Sequence, residues 1–304
     1  MGGGYNHLVE KMKIYLVNPS SRRYVIEDNA AIKNYIKNEN ISRRGASPQK
    51  LPPVPKEDSL GGQGLTIIPN GQDKPVYDIN ILESYYYARN NKVITELLPY
   101  FGNFLLDSGA FTFMANSGNA TIDWDTYIED YAAYINQNKI SQFFELDIDS
   151  IVGLTEIERL RAKLENLTKI QPIPVWHLSR GKAYFEKMCE KYPYVAIGGI
   201  VTQEIPRDKY ESYFHWFINT AHRYKAKIHG LGYTGNLRKY RFDSVDSTAW
   251  LYGNRGGYLY IFDEKSGKMN KIEAPEGKRL KSSDSALHNF NQWLRYCRWA
   301  DRNL

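Results

Sequence analysis

Short apolar runs alternate with stretches of helical spacing between residues 78 and 250. The runs are continuous, as in strands buried on both faces, and amphipathic stretches such as TEIERLRAKLENLTKI separate them. This alternation predicts βα units joined by right-handed crossovers. We expect an α/β fold of the TIM-like (β/α)8 barrel type. An open doubly wound sheet is the alternative, although no G-x-G-x-x-G follows the first strand.

The N-terminal third departs from this alternation. Residues 12–304 are predicted to form one barrel domain, preceded by residues 1–11 as an extension or tag. Helical spacing covers residues 25–38. Residues 39–76 are rich in proline, glycine and charge, which predicts an irregular loop insertion. A helix is expected again over residues 79–101, before the run FLLD.

The C-terminal part carries a different pattern. Residues 251–304 predict an appendage made of a β-hairpin and a helix. The hairpin turn is expected at residues 265–267, and the apolar positions of the helix fall on one face. Such a stripe usually seals a core, whereas the opposite edge of the helix carries arginines.

Composition narrows the class of protein. The chain has 304 residues, no apolar run long enough to span a bilayer, and a start without the pattern of a secretory leader. Cys189 and Cys297 are its only cysteines, which excludes a disulfide framework or a zinc site of three cysteines and predicts a cytoplasmic protein. The net charge of +6 and the 24 tyrosines suit a polyanionic partner such as a nucleic acid.

The ends of the apolar runs carry the candidate chemistry. In sequence order they hold Asp107, Asp147, Asp149, His177, Gly198, Gly199, Gly230, Gly232, Asp243 and Asp246. The carboxyl ends of parallel strands meet at one edge of a sheet, where α/β barrels place their active sites. Two carboxylates there can attack a sugar anomeric carbon and protonate its leaving group. The glycines would offer exposed backbone amides to a planar heterocycle, and Phe111 could stack on it.

Simpler interpretations remain open for four of these residues. Asp107 precedes Ser-Gly and could cap the turn after its strand. His177 could be a buried histidine with satisfied hydrogen bonds. Asp243 and Asp246 are three residues apart on a predicted strand, so only one of them can face a pocket.

Six motifs in order resemble the tRNA-guanine transglycosylase superfamily. They are DSGAF (107–111), ELDID (145–149), PVWH (174–177), AIGGI (196–200), HGLGY (229–233) and SVDSTAW (244–250). The motifs DSGAFT and SVDSTAW most resemble those of the DpdA-type enzymes of phages and bacteria. That family exchanges guanine in DNA for a 7-deazaguanine such as preQ0, which implies DNA and the free base as partners and the host cytoplasm as the location if the gene is a phage's.

The resemblance implies a role for each matching residue. Asp246 matches the nucleophilic aspartate, which forms a covalent glycosyl-aspartate with the flipped-out nucleotide, and Asp107 matches the general acid–base. Asp147 would hold the guanine edge, with Asp149 as the alternative in the D-I-D spacing. The base slot would be completed by Gly198, Gly199, Gly230, Gly232 and Phe111, and by His177 where the tRNA enzymes have a glutamine.

Departures from the tRNA enzymes affect the expected cofactor and polymer. Their structural zinc is held by three cysteines and a histidine near the C-terminus, where this chain has only Cys297. No metal or other cofactor is therefore predicted. Contacts to the nucleic-acid backbone are expected from Arg43, Arg44, Arg295 and Arg298. The alternatives are an RNA or tRNA guanine transglycosylase, a non-catalytic nucleic-acid-binding barrel, and a hydrolase of small glycosides.

Overall fold

Strands and helices alternate in the computed structural model of the protein, which describes residues 11–17, 67–69, 75–98, 101–116, 122–200, 204–251, 258–273 and 282–304. The strands are β1 (Lys13–Val17), β2 (Ile67–Pro69), β3 (Pro75–Ser84), β4 (Phe101–Asp107), β5 (Val175–Trp176), β6 (Tyr194–Ile197), β7 (Lys227–Gly230), β8 (Ser244–Ser247), β9 (Tyr258–Asp263) and β10 (Lys268–Glu273). The helices are α1 (Tyr85–Ala88), α2 (Lys92–Leu97), α3 (Ala110–Asn116), α4 (Trp124–Gln137), α5 (Asp149–Val152), α6 (Leu154–Thr168), α7 (Gly181–Lys191), α8 (Arg207–Arg223) and α9 (Ser282–Asn303).

The main sheet is parallel and curled. Its strand order is β2-β3-β1-β8-β7-β6-β5, with β4 also paired to β3. Every pairing is parallel except that of β2 with β3, and the register of β1 on β8 places Tyr15 opposite Asp246. Two isolated parallel bridges, Leu106 to Phe143 and Phe144 to Ile173, link β4 to the chain leading into β5. The carboxyl ends of all these parallel strands therefore lie at one edge of the sheet.

Apolar side chains cover both faces of the curled sheet, as expected for parallel strands. The concave face encloses a compact cluster of Tyr15, Val17, Leu82, Leu105, Phe144, Ile173, Val175 and Ala196. The convex face packs against the helices in a much larger core. In α6, for example, Ile157, Leu160 and Leu164 follow helical spacing and are buried. The α/β class and a TIM-like curvature agree with the sequence pattern.

A local sequence signal explains where α4 begins. The side chain of Asp123 accepts hydrogen bonds from the backbone N–H groups of Asp125 and Thr126, at 3.0 and 3.1 Å, and so caps α4. Of the helices that the structure describes, none is long and apolar enough to cross a lipid bilayer.

The predicted helix over residues 79–101 is wrong in its first part. The structure has strand β3 up to Ser84, followed by the short helices α1 and α2. The run INILE fits a helix or a strand equally well, because its few apolar residues do not establish a period. Pairing with β1 on one side and β4 on the other decides in favour of the strand.

Part of the N-terminal prediction lies outside the described residues. These positions are 1–10, 18–66 and 70–74, which include most of the predicted extension 1–11, the predicted helix 25–38, most of the predicted loop 39–76, and both Arg43 and Arg44. The loop prediction is wrong for Ile67–Pro69, which form β2 against β3. Pairing with the edge of the sheet orders this triplet even though its surroundings are rich in proline and glycine.

The C-terminal appendage agrees with the sequence prediction. Strands β9 and β10 pair antiparallel, with their turn at residues 264–267, and α9 follows. Gly267 has φ +67°, and a Cβ there would lie 2.5 Å from the ring of Trp299. Helix α9 packs on β9 and β1, and its Phe290 contacts the buried Trp250. The appendage therefore closes the outer face of the sheet beside β1.

Candidate active site

Asp107 ends β4 and begins a tight turn into α3. Its Oδ2 accepts a hydrogen bond from the backbone N–H of Gly109 at 3.1 Å. Gly109 has φ +65°, and a Cβ at this position would lie 2.5 Å from Ser84 Oγ and 2.7 Å from the backbone N of Tyr86. The Ser-Gly turn thus lets β4 approach the end of β3 and fixes the Asp107 carboxylate at the sheet edge. Asp107 therefore caps the turn between β4 and α3.

Gly109→Ala should lower the free energy of unfolding by roughly 2–4 kcal/mol, since it adds left-handed strain to a clash with backbone atoms. Gly181→Ala is a matched control, because Gly181 has φ +71° but no neighbouring atom within 4 Å of the position that a Cβ would take. With ψ at 169°, Gly181 has a conformation found almost only in glycine, so this variant should cost only the backbone strain, roughly 1–3 kcal/mol. Urea denaturation of both variants measures the difference. Equal losses of unfolding free energy in the two variants would show that the contact with Ser84 and Tyr86 adds no cost.

The electrostatic environment of Asp107 favours its protonated form. Removal from water is the largest cause, and the negative charges of Asp147 and Asp246 add to it, whereas the hydrogen bond from Gly109 opposes it. Together they raise the pKa of Asp107 to about 6 from an ordinary value of 3.8. A carboxyl group with a pKa in this range can donate and accept a proton near neutral pH.

Asp246 lies on β8 with only 6% of its surface exposed. Its Oδ1 accepts a hydrogen bond from the backbone N–H of Gly232 at 2.7 Å and lies 3.1 Å from His229 Nε2. Asp243, three residues earlier, points elsewhere: its Oδ2 accepts from the backbone N–H of Ile228 at 2.7 Å and contacts His222. Of these two aspartates, Asp246 is therefore the one that shares the electrostatic environment of Asp107.

Asp147 contacts a histidine held between two carboxylates. His177 Nε2 lies 2.5 Å from Asp147 Oδ1, and His177 Nδ1 lies 2.5 Å from Glu204 Oε1. Burial opposes the charged imidazolium, but the hydrogen bonds and charges of Asp147 and Glu204 outweigh it and raise the pKa of His177 to about 9. At neutral pH His177 is therefore a cation that donates to both carboxylates. Glu204 also accepts from the backbone N–H of Leu178 at 3.1 Å.

Asp149 belongs to a separate, buried ion network. Its Oδ2 lies 2.9 Å from Arg180 Nε, and Arg180 Nη1 lies 2.7 Å from Glu145 Oε1. Glu145 has no exposed surface, and its other oxygen pairs with Arg161 Nη1 at 2.9 Å. Its Oε1 also accepts from the backbone N–H of Val175 at 2.8 Å. Since Arg180 holds Asp149, Asp147 is the better placed of the two to contact a ligand.

Glu145→Gln should destabilise the protein by about 3 kcal/mol, because it leaves the buried guanidinium groups of Arg161 and Arg180 without their shared counter-charge. Urea denaturation at pH 7 measures the effect. Arg159→Ala is the control: this arginine forms exposed ion pairs with Asp125 and Glu156, and its removal should matter far less. A Glu145→Gln protein as stable as the wild type would mean that the network is dispensable.

The structure changes the expected roles of the glycines. The backbone N–H of Gly198 donates to Trp176 O at 2.8 Å within the sheet, so it is not available to a base. A Cβ on Gly198 would lie 2.7 Å from the ring of His177, and one on Gly199 2.7 Å from the carboxyl of Glu204. Gly232 uses its N–H on Asp246. Gly198, Gly199 and Gly232 therefore position the histidine and the carboxylates. At Gly230, a Cβ would contact the ring of Phe242 at 3.3 Å.

Asp147, Asp149 and His177 could together offer three metal ligands, since one ligand atom from each lies within 4.8 Å of the others. Two features of the described site oppose a cation there. Arg180 already neutralises Asp149, and His177 is protonated between Asp147 and Glu204. The donor set therefore fits an ion-paired acid–base cluster better than a metal.

The predicted backbone-contact residues Arg295 and Arg298 lie on α9 of the appendage. Arg295 pairs with Glu264 of the hairpin at 3.2 Å, and Arg298 lies one turn further along α9. The carboxyl end of α9 lies near Arg241, whose Nη1 donates to Leu304 O at 3.5 Å just before the amino end of β8. The carboxyl-terminal end of α9 is therefore nearer the opposite edge of the sheet. The side chain of Phe111 and both Arg43 and Arg44 lie outside the described part of the chain.

Sequence reasoning missed His229, Glu204, Glu145 and Arg180. His229 begins the HGLGY motif next to Gly230, and its place on a buried strand was the available signal. Glu204 follows Gly199 in a connection whose path the sequence does not determine. No known protein-family model matches this chain, and no curated protein matches it either.

Proposed function

We propose that the protein is a DNA guanine transglycosylase that exchanges guanine for a 7-deazaguanine base such as preQ0. The observation that carries this proposal is the pair of carboxylates at the ends of β4 and β8. Asp246 is fixed by two donors, whereas the environment of Asp107 favours its protonated form. Two carboxyl groups with different proton affinities are what a double displacement at a sugar carbon requires.

We further propose that the curled sheet is the wall of a closed (β/α)8 barrel. Residues 143–144, which bridge to Leu106 and to Ile173, would supply the remaining strand between β4 and β5. The apolar cluster on the concave face would then be the barrel interior. The carboxylates would lie at the mouth of that barrel, where a flipped-out nucleotide can enter.

The proposed reaction has two displacements. A lone pair on Asp246 forms a bond to C1′ as the bond from C1′ to N9 of guanine breaks, and Asp107 protonates the leaving base. The 7-deazaguanine then gives its N9 proton to Asp107 and attacks C1′, and the bond from C1′ to Asp246 breaks with its electron pair returning to the carboxylate. The configuration at C1′ is retained, and the residues act without a metal or organic cofactor.

Asp147 and His177 would select the base. The free oxygen of the Asp147 carboxylate can accept hydrogen bonds from the N1–H and exocyclic amino groups of guanine, which are shared by 7-deazaguanines. His177 holds that carboxylate through its other oxygen. The Asp147 carboxylate offers only acceptor atoms, so that the site prefers a base with donors on this edge.

A hydrolase built on Ser244, His229 and Asp246 is not supported, although these three side chains form a hydrogen-bonded chain. Ser244 is only 2% exposed and lies inside the sheet, whereas Asp246 is the member at the carboxyl edge. A nucleophile must reach its substrate, which favours the aspartate. The alternative of a non-catalytic nucleic-acid-binding protein is also less favoured. Such a protein would not need an environment that favours the protonated form of Asp107.

The direct test incubates the purified protein with duplex DNA and preQ0 and measures the nucleosides by mass spectrometry. We expect a 7-deaza-deoxyguanosine, and free guanine released in equal amount. Parallel reactions with tRNA test the alternative polymer. Product on tRNA alone would contradict the DNA assignment, and binding of DNA without product or covalent adduct would support the non-catalytic alternative.

A further inference from the structure

His229, which the proposed reaction does not use, is hydrogen-bonded to Asp246. This histidine on β7 has no exposed surface, and its ring is flanked by the rings of Tyr15 and Phe144, with centroids 6.1 and 5.4 Å away. Both ring nitrogens are engaged: Nε2 lies 3.1 Å from Asp246 Oδ1, and Nδ1 lies 2.5 Å from Ser244 Oγ. Packing and hydrogen bonds therefore hold the imidazole in one orientation.

The hydrogen bonds form a continuous chain from Asp246 through His229 and Ser244 to Tyr194. A carboxylate only accepts, so the proton on His229 must be on Nε2, where it is donated to Asp246. In the tautomer with a single proton on Nε2, Nδ1 accepts from the hydroxyl of Ser244, and Ser244 Oγ in turn accepts from the hydroxyl of Tyr194. The chain selects the tautomer that donates to the aspartate.

Both donors to Asp246 reach the same oxygen. His229 Nε2 and the backbone N–H of Gly232 contact Oδ1, and no hydrogen bond from the described residues reaches Oδ2. Fixing one oxygen on two rigid donors sets the plane of the carboxylate and leaves the other oxygen for bond formation. A misplacement of about 1 Å can slow such a step by roughly 10²-fold.

We propose that His229 is a positioning residue for the nucleophile: it fixes Oδ1 of Asp246 so that Oδ2 attacks C1′. This role rests on the proposed function, because it assumes that Asp246 is the nucleophile. His229 keeps its Nε2 proton through both displacements. The electron pair that leaves C1′ in the second step returns to a carboxylate already bonded to two donors, which favours its release.

The test compares His229→Leu, which removes the donor, with His229→Gln, whose amide can replace it. Single-turnover formation of the covalent adduct between protein and DNA gives the rate, and DNA affinity is measured separately. We expect His229→Leu to slow adduct formation by roughly 10²-fold with DNA affinity within about 2-fold of the wild type, and His229→Gln to recover most of the rate. His288→Leu is the matched control, since His288 Nε2 is hydrogen-bonded to the backbone oxygen of Tyr260 on the hairpin.

Two further measurements do not depend on those variants folding or reacting. Imidazole ¹⁵N shifts of the wild type should show His229 protonated on Nε2 and not on Nδ1. Ser244→Ala keeps the ring but removes the partner of Nδ1, and should slow adduct formation by about 10-fold while mixing the tautomers.

Several outcomes would overturn the proposal. They are a folded His229→Leu protein that reacts at the wild-type rate, a loss of rate matched by an equal loss of DNA affinity, or a proton on Nδ1. A wild-type protein that forms no adduct contradicts the proposed function instead. The ¹⁵N shifts then decide by themselves whether His229 holds Asp246.

Discussion

Asp246→Asn should abolish both adduct formation and base exchange, with a rate lower by roughly 10⁴-fold or more. An amide oxygen is a poor nucleophile, yet it can still accept hydrogen bonds from Gly232 N–H and His229 Nε2, so the fold and DNA affinity should be preserved. The adduct is detected as a DNA-linked band after denaturing electrophoresis, and exchange by nucleoside mass spectrometry. The loss would then be one of chemistry alone.

Asp243→Asn is the matched control for this variant. Asp243 directly precedes β8, but its carboxylate accepts from the backbone N–H of Ile228 and contacts His222, and an asparagine oxygen can keep the bond to Ile228. We expect exchange within a few-fold of the wild type. If instead Asp243→Asn is inactive and Asp246→Asn forms the adduct, the two aspartates have been assigned the wrong way round.

The sequence predicts the positions of the strand-end carboxylates better than their partners. Asp107, Asp147 and Asp246 could be placed at one edge because a parallel sheet brings strand ends together in order. The D-I-D spacing left Asp147 and Asp149 equivalent, since both follow the same apolar run. The choice depends on Arg180, which is 31 positions away from Asp149 in the chain and reaches it only in the folded protein.

Hydrogen bonds between strands could not be predicted either, because their partners are distant in the chain and meet only in the folded protein. Gly198 and Gly232 were expected to offer their amides to a base, because glycine permits close approach. Whether an amide is free depends on its sheet neighbours: Trp176 accepts from Gly198, and Asp246 accepts from Gly232. Likewise, the bond between His229 and Asp246 follows from the pairing of β7 with β8, which a single strand does not specify.

The fold shows a similar division between local and long-range information. The hairpin and α9 were predictable because their turn and their apolar stripe are local patterns. Strand β3 was not, because its apolar residues also fit a helix and its two strand partners decide its conformation. The tertiary context overrides a weak local preference there.

Asp107→Asn should slow base exchange by about 10³-fold and, at the same time, stabilise the folded protein at pH 8. An asparagine cannot protonate the leaving guanine or take the proton of the incoming base, which removes general acid–base catalysis. Its oxygen can still accept from Gly109 N–H, and it carries no charge near Asp147 and Asp246. The wild-type carboxylate, by contrast, is ionised at pH 8 in surroundings that disfavour its charge.

The sign of the stability change follows from the raised pKa of Asp107. The folded protein, with a pKa of about 6, holds this proton more tightly than the unfolded chain, with a pKa of 3.8. Ionising Asp107 therefore destabilises the folded state. This loss of stability reaches its full size above pH 6 and is absent below pH 3.8, the pKa in the unfolded chain. For a partly accessible group the effect is roughly 2 kcal/mol. Urea denaturation should show Asp107→Asn more stable than the wild type at pH 8 and equal to it near pH 3.5, whereas equal stability at both values would contradict the raised pKa.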